Sequence, residues 1–176
     1  MRLVAAVGLI GMGLVLAGCG SGEVSGKADP EAIAAGEPVF RPCDDIPDDA
    51  LRGLGADPGT AERDIMGVKQ SGWNVCGWSA ADYDITVFAT THTLSDIKTN
   101  DRNEEFMPVD LGSREGFSYR EASDVARERC YVAVESGDGS SILSISFAGL
   151  VDPRDAQEPC RIATSATHSL LPFIPA

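Results

Sequence analysis

Five cysteines and two histidines are the most reactive side chains of this 176-residue sequence. Thiols can be acylated, paired by oxidation or bound to a soft metal, and an imidazole can act as a general base. Hydrolysis needs a nucleophile, a base and an orienting acid that converge, and only His92 and His168 could be the base. His168 falls near the end of a C-terminal helical pattern, where a cation complements the dipole. His92 closes a strand pattern amid Thr90, Thr91 and Thr93. The sequence has no Gly-x-Ser-x-Gly elbow and no phosphate-cradling glycine loop. The carboxylate pair Glu104-Glu105 sits in a charged stretch that reads as a loop, so no residue is assigned a catalytic role.

Metal chemistry fares no better. Cys43, Cys76, Cys130 and Cys160 are spaced by 33, 54 and 30 residues and lack the close pairs of structural zinc sites. Asp44, Asp45, Asp48 and Asp49 are accounted for by helix-start electrostatics. Ser136-Gly137-Asp138-Gly139-Ser140 offers one carboxylate where a calcium loop needs several. No metal or cofactor is expected.

The fifth cysteine, Cys19, has a different context. Leu16-Ala17-Gly18-Cys19 follows an apolar run from Leu3 to Ala17, preceded only by Met1 and Arg2. A basic start, an apolar middle and small residues at the end are the parts of a secretory signal. The cleavage site ends in cysteine and resembles the lipobox of bacterial lipoproteins, in which the thiol is lipidated and the cysteine becomes the first residue. As a membrane helix the run would span about 22 Å against a hydrocarbon core of roughly 30 Å. Gly8, Gly11 and Gly13 weaken it as a packed core helix. Residues 1–18 are therefore read as a signal peptide, Cys19 as the lipid anchor, 19–38 as a Gly/Ser/Ala-rich flexible tether and 39–176 as one domain. Localisation on the extracytoplasmic face of the cell membrane follows.

Removing residues 1–18 leaves 158, enough for a domain with a real core. Arg2 is their only charged residue, so 13 Lys+Arg then face 27 Asp+Glu, a net charge of −14. Such a surface repels nucleic-acid phosphates and anionic lipid, which leaves anchoring to the acyl chains. With Cys19 lipidated, the other four cysteines can pair completely in a compartment that permits disulfides. Three connectivities exist and the sequence does not choose among them; Cys43–Cys76 with Cys130–Cys160 is the expectation.

The elements that must position these groups follow from period and turn chemistry. Asp44 to Gly55 reads as one short helix, with acidic residues and Pro47 at its start and Gly55 at its stop. Ile65, Met66 and Val68 are placed on a strand, and Asp57-Pro58-Gly59 at a turn. Trp73–Ser79 is a strand with Cys76 and Trp78 on one face, and Asp84–His92 another in which Ile85, Val87 and Ala89 alternate with Thr86, Phe88 and Thr90. Ser95 is the expected N-cap of a helix containing Ile97. Strands follow at Met107–Leu111 and Gly116–Arg120. The firmest hairpin joins Cys130–Glu135 through Ser136-Gly137-Asp138-Gly139 to Ser140–Ala148, with Leu143, Ile145 and Phe147 inward and Ser144 and Ser146 outward. Asp152-Pro153 begins a loop, and Pro159 opens a last helix whose inner stripe is Cys160, Ala163, Thr164, Thr167, Leu170 and Leu171.

Phe40-Arg41-Pro42-Cys43, Cys76-Gly77-Trp78, Cys130-Tyr131-Val132-Ala133-Val134 and Pro159-Cys160 thus stand in order behind the lipobox. Together they resemble the actinobacterial lipoprotein family called domain of unknown function 3558, over roughly residues 39–173. The resemblance implies a Mog1/PsbP-like α+β fold, an antiparallel sheet flanked by a short N-terminal helix and a C-terminal helix, with two disulfides. It implies no activity and no catalytic residues. The expected function is a non-catalytic binding or accessory module of the cell envelope, possessing a protein, cell-wall or lipid ligand and, more narrowly, a role in secretion or transport. The alternative is a small envelope hydrolase using His92 or His168.

Overall fold

A computed structural model of the protein describes residues 36–147, 155 and 157–176. The signal peptide reading, Cys19, nearly all of the tether and the Asp152-Pro153 loop lie outside the described residues. The described chain forms α1 (Pro42–Asp45), α2 (Asp48–Gly53), β1 (Glu62–Arg63), β2 (Trp73–Ser79), β3 (Asp84–Thr90), α3 (Leu94–Thr99), β4 (Asn103–Pro108), β5 (Gly116–Glu121), β6 (Arg129–Ser136), β7 (Gly139–Ser146) and α4 (Glu158–Leu170). The seven strands make one sheet in the order β1-β2-β3-β7-β6-β5-β4, every neighbouring pair antiparallel. This is the expected α+β architecture: two meanders, β1 to β3 and β4 to β7, joined where β3 pairs with β7.

Strand β7 is the middle of the sheet, so both its faces are covered. Leu143 and Ile145 point to the main core, as their alternation predicts. Ser144, expected outward, is buried on the second face because that face is also packed. The main core joins Cys76, Trp78, Ile85, Val87, Val132, Val134 and Ile145 to Phe40, Ile46 and Leu51 at one end and to Ala163, Ala166 and Leu170 of α4. Each large apolar side chain buried there contributes roughly 1.5–3 kcal/mol. The inner stripe of α4 differs slightly from expectation: Ala166 is buried and Thr164 is only half-buried, since the helix is rotated toward β6 and β7.

Both disulfides join the expected partners. Cys43–Cys76 ties α1 to β2, and Cys130–Cys160 ties β6 to α4. Each staples a covering helix to the core face of the sheet.

Local departures have local causes. The single helix expected over 44–55 is two, because Ile46 precedes proline and takes an extended conformation (φ −89°, ψ 119°). Gly55 stops α2 as expected: at φ +78° it allows Ala56 N–H to donate to Leu51 O and Gly55 N–H to Arg52 O, a Schellman pair. Of residues 62–68 only Glu62 and Arg63 join the sheet, while Ile65, Met66 and Val68 are exposed. Pro58–Thr60 is a 3-10 turn. The cap of α3 is Thr93, two residues before Ser95. Its hydroxyl accepts from Asp96 N–H at 3.2 Å, and the Asp96 carboxylate accepts from Thr93 N–H at 2.8 Å. Strand β4 begins at Asn103, so Glu104 and Glu105 lie on a strand and not in a loop. A bulge there sets Glu105 at φ +56° and, with Pro108, blunts the sheet edge.

Candidate functional site

The second face of the sheet carries aromatic residues on alternate positions of five strands. Phe106, Tyr119 and Tyr131 stack across β4, β5 and β6, with ring centroids 5.9 Å and then 5.0 Å apart. Phe117 meets the Phe106 edge at 5.5 Å. On the other flank Trp73 of β2 meets Phe88 of β3 edge-on at 6.3 Å and the His92 ring at 5.5 Å. Such contacts add about 0.5–1.5 kcal/mol each beyond their buried area.

Between the two flanks lies a cavity of about 470 Å³. Ile142 of β7 forms its floor, Trp73, Phe88 and His92 one wall, Tyr119 and Tyr131 the other, and Ile97 of α3 the roof. Asp96, Asn100, Asn103 and Glu121 give it a polar rim. An apolar body with a few convergent polar groups is the usual make-up of a small-molecule site, and the volume lies in the range of such sites. The short α3 stands over the sheet because its capping box fixes its start and Asn103 Nδ2 donates to Ile97 O at its end, at 3.0 Å.

The charged side chains that line the cup are acidic. Backbone and hydroxyl donation from Thr93 holds the Asp96 carboxyl below the usual carboxylate range. Burial pushes the Tyr131 phenol up to about 12, with Glu121 acting in the same direction and the Arg129 guanidinium against it. Burial raises Tyr119 further, aided by Tyr131 and Glu121. Both phenols therefore stay protonated as donors at neutral pH. No Lys or Arg lines the cavity.

A second cavity of about 620 Å³ adjoins the first and shares His92 and Asp96. Gly36–Phe40 cross it, beside the β3 exit and the β6–β7 hairpin. The segment is held by the Asn74 amide, which donates to Pro38 O at 2.9 Å and Phe40 O at 2.8 Å, and by Glu37 paired with Lys69 at 2.9 Å.

The candidate residues of the sequence fall in separate places. His92 is exposed at the mouth of both cavities, and its imidazole makes no hydrogen bond among the described residues. Ser140 Oγ donates to its backbone carbonyl at 2.8 Å, and its N–H donates to Thr90 Oγ1 at 3.2 Å. His168 is exposed on α4, with the sheet between it and His92. Ser95 and Lys98 of α3 have Ser-x-x-Lys spacing, but the Lys98 ammonium lies 4.7 Å above the Phe117 ring and 3.5 Å from Glu115. Asp44 meets Arg63 at 2.7 Å, Asp45 accepts from Arg41 N–H at 2.7 Å, and Asp48 and Asp49 share Arg52. Glu105 turns to Arg120 and Arg127. Cys43, Cys76, Cys130 and Cys160 are all in disulfides. Among the described residues no group of three or more His, Cys, Asp or Glu is placed to hold a metal, and no helix is long and apolar enough to cross a membrane.

Sequence reasoning missed the cup itself. The signal was present in the strands, where Trp73, Phe88, Phe117, Tyr119 and Tyr131 occupy positions opposite to the aliphatic core residues. Comparison with protein families gives a match over residues 14–172 to the family described as "Protein of unknown function (DUF3558)". No curated protein and no solved structure matches the chain.

Proposed function

We propose that this chain, which belongs to the DUF3558 family, is a lipid-anchored extracytoplasmic protein that binds a small amphipathic ligand in the aromatic cup of its sheet and catalyses no reaction. The observation that carries the reading is the cup: aromatic walls from β2, β3, β5 and β6 around Ile142, beneath a capped helix, with a polar rim. Two rigid flanks held in one sheet present apolar surface that need not be ordered on binding, which lowers the cost of association. Against catalysis, the His92 imidazole has no hydroxyl nucleophile bonded to it among the described residues, and Cys43, Cys76, Cys130 and Cys160 are committed to disulfides.

Anchoring at Cys19 would place the domain at the membrane. The segment Gly36–Phe40 meets the domain beside the cup, so a tether from Cys19 would bring the ligand site toward the bilayer. Cys19→Ala should shift the protein from the membrane fraction to the soluble fraction with its disulfides and near-UV CD unchanged; retention in the membrane would refute the anchor. Val39, 89% exposed on that segment, offers a neutral control position.

The hydrolase reading has His92 at a cavity mouth in its favour. Turnover of an ester or amide panel by the intact protein, lost in His92→Ala, would establish it in place of the binding reading.

A further inference from the structure

We infer that the aromatic cup selects an organic ammonium cation carried on an apolar body, an inference that rests on the cup being a ligand site. Three independent features point the same way. The first is the wall material. Trp73, Phe88, Tyr119 and Tyr131 line one space, and the faces of indole, phenyl and phenol rings attract a cation through their quadrupoles.

The second is charge. The two ionisable acids of the lining, Asp96 and Glu121, stand at the rim, and Asp96 keeps its charge because Thr93 donates to it twice. His92 is the only lining group that can become positive. The nearest fixed cations are not lining residues, although the Arg129 guanidinium hydrogen-bonds the Tyr131 phenol. Lys98 sits over Phe117 and beside Glu115, and Arg129 Nε donates to Ser146 Oγ at 3.1 Å. Among the lining residues an anionic ligand would meet two carboxylates and no guanidinium or ammonium.

The third is donor polarity. Glu121 lines the cup beside the Tyr131 phenol, which hydrogen-bonds it, and it is the carboxylate acceptor at that end of the cup. A quaternary ammonium needs no hydrogen-bond acceptor, and a protonated amine would find one in Glu121. The apolar Ile142 and Ile97 between the walls fit the uncharged part of the ligand. The ligand class is therefore a cation with a hydrophobic group, in contrast with an acyl carboxylate or a phosphate ester.

The test uses the full-length protein in neutral detergent and three probes with the same phenyl ring: benzyltrimethylammonium, benzyl alcohol and phenylacetate. Binding is followed by calorimetry and by tryptophan fluorescence, since half-buried Trp73 lies in the wall and Trp78 lies in the core. The cation is expected to bind about tenfold more tightly than benzyl alcohol, with phenylacetate weakest. Glu121→Gln and Trp73→Leu should each weaken the cation several-fold. Glu121→Gln should weaken the cation more than benzyl alcohol, which separates charge recognition from damage to the cup. Equal affinity for the cation and benzyl alcohol would overturn the charge selection and leave the ligand site standing. Cation binding indifferent to both substitutions would place it elsewhere and overturn the inference. No binding of any probe by protein with native near-UV CD would overturn both the inference and the binding reading beneath it.

Discussion

Tyr119 and Tyr131 lie face to face across β5 and β6, their ring centroids 5.0 Å apart and their planes 18° from parallel. The pair shows that the second face of the sheet is built and not merely exposed. Tyr119 is 6% exposed although the core of the domain lies on the opposite side of its strand.

Burial of these phenols sets an alkaline limit on stability. Tyr131 is pushed up to about 12 and Tyr119 higher, while an unfolded tyrosine ionises near 10. Above pH 10 the unfolded chain therefore binds fewer protons than the folded one, so stability falls as pH rises from about 10 toward 12 and is unaffected below. Burial raises Tyr83, the third and last tyrosine, as well. Absorbance at 295 nm should show Tyr119 and Tyr131 still protonated at pH 10.5 while near-UV CD is native, and their ionisation should coincide with unfolding. Tyr131→Phe should move the alkaline unfolding midpoint upward.

The Cys130–Cys160 bond closes a loop with a sequence separation of 30 and is the covalent link between α4 and β6. A Cys130→Ser/Cys160→Ser double variant should lose about 3–4 kcal/mol by urea unfolding on the chain-entropy account. Cys130 and Cys76 are both inaccessible to solvent in the folded state. The half-buried Cys43 and Cys160 are therefore the positions through which dithiothreitol should reach the bonds in the folded protein.

Arg120 is the buried cation of the sheet edge, with a side chain 3% exposed. Its guanidinium lies 3.7 Å from both Glu105 and Asp124 and donates to the carbonyls of Arg127 and Arg129. Arg120→Ala leaves a nearly buried carboxylate and these carbonyls without their donor and should cost about 3–5 kcal/mol in denaturant unfolding. Arg120→Lys should recover only part of it, because an ammonium cannot reach the carboxylates and carbonyls as a planar fork does. Glu105→Gln should cost much less, since that carboxylate is over a third exposed.

Gly139 opens β7 where the chain presses on the exit of β3. A Cβ there would stand 2.8 Å from Thr91 Cα and closer still to the Thr90 carbonyl, which is backbone that cannot swing aside. Gly139→Ala should destabilise the fold by at least about 2 kcal/mol and displace the Thr90–His92 segment. The His92 imidazole resonances would report the shift, and benzyltrimethylammonium binding should weaken with it.

Much of the frame was readable before any coordinates. The alternation of Leu143, Ile145 and Phe147 named their core positions correctly, that of Ile85, Val87 and Ala89 with Thr86, Phe88 and Thr90 marked a strand, and Ser136 to Gly139 marked the hairpin. The Cys43–Cys76 and Cys130–Cys160 pairs, the C-terminal helix and the stop at Gly55 were also legible. The errors fall where a residue competes with a near neighbour: Thr93 over Ser95 as cap, or the Ile46-Pro47 break within an acidic run. Propensity ranks such neighbours alike, and a single hydrogen bond or proline clash decides between them.

What the sequence determined alone is therefore period, punctuation and reactive inventory, all of which act within a few residues along the chain. The tertiary structure decided that β3 pairs with β7, which puts β7 at the centre and buries Ser144 on a face that alternation assigns to solvent. It also decided that Trp73 and Phe88 should face Tyr119 and Tyr131 across Ile142. Strand order is set by which strands bury the most surface together, a comparison among distant segments that local periodicity does not encode. The cup exists only once that order is chosen.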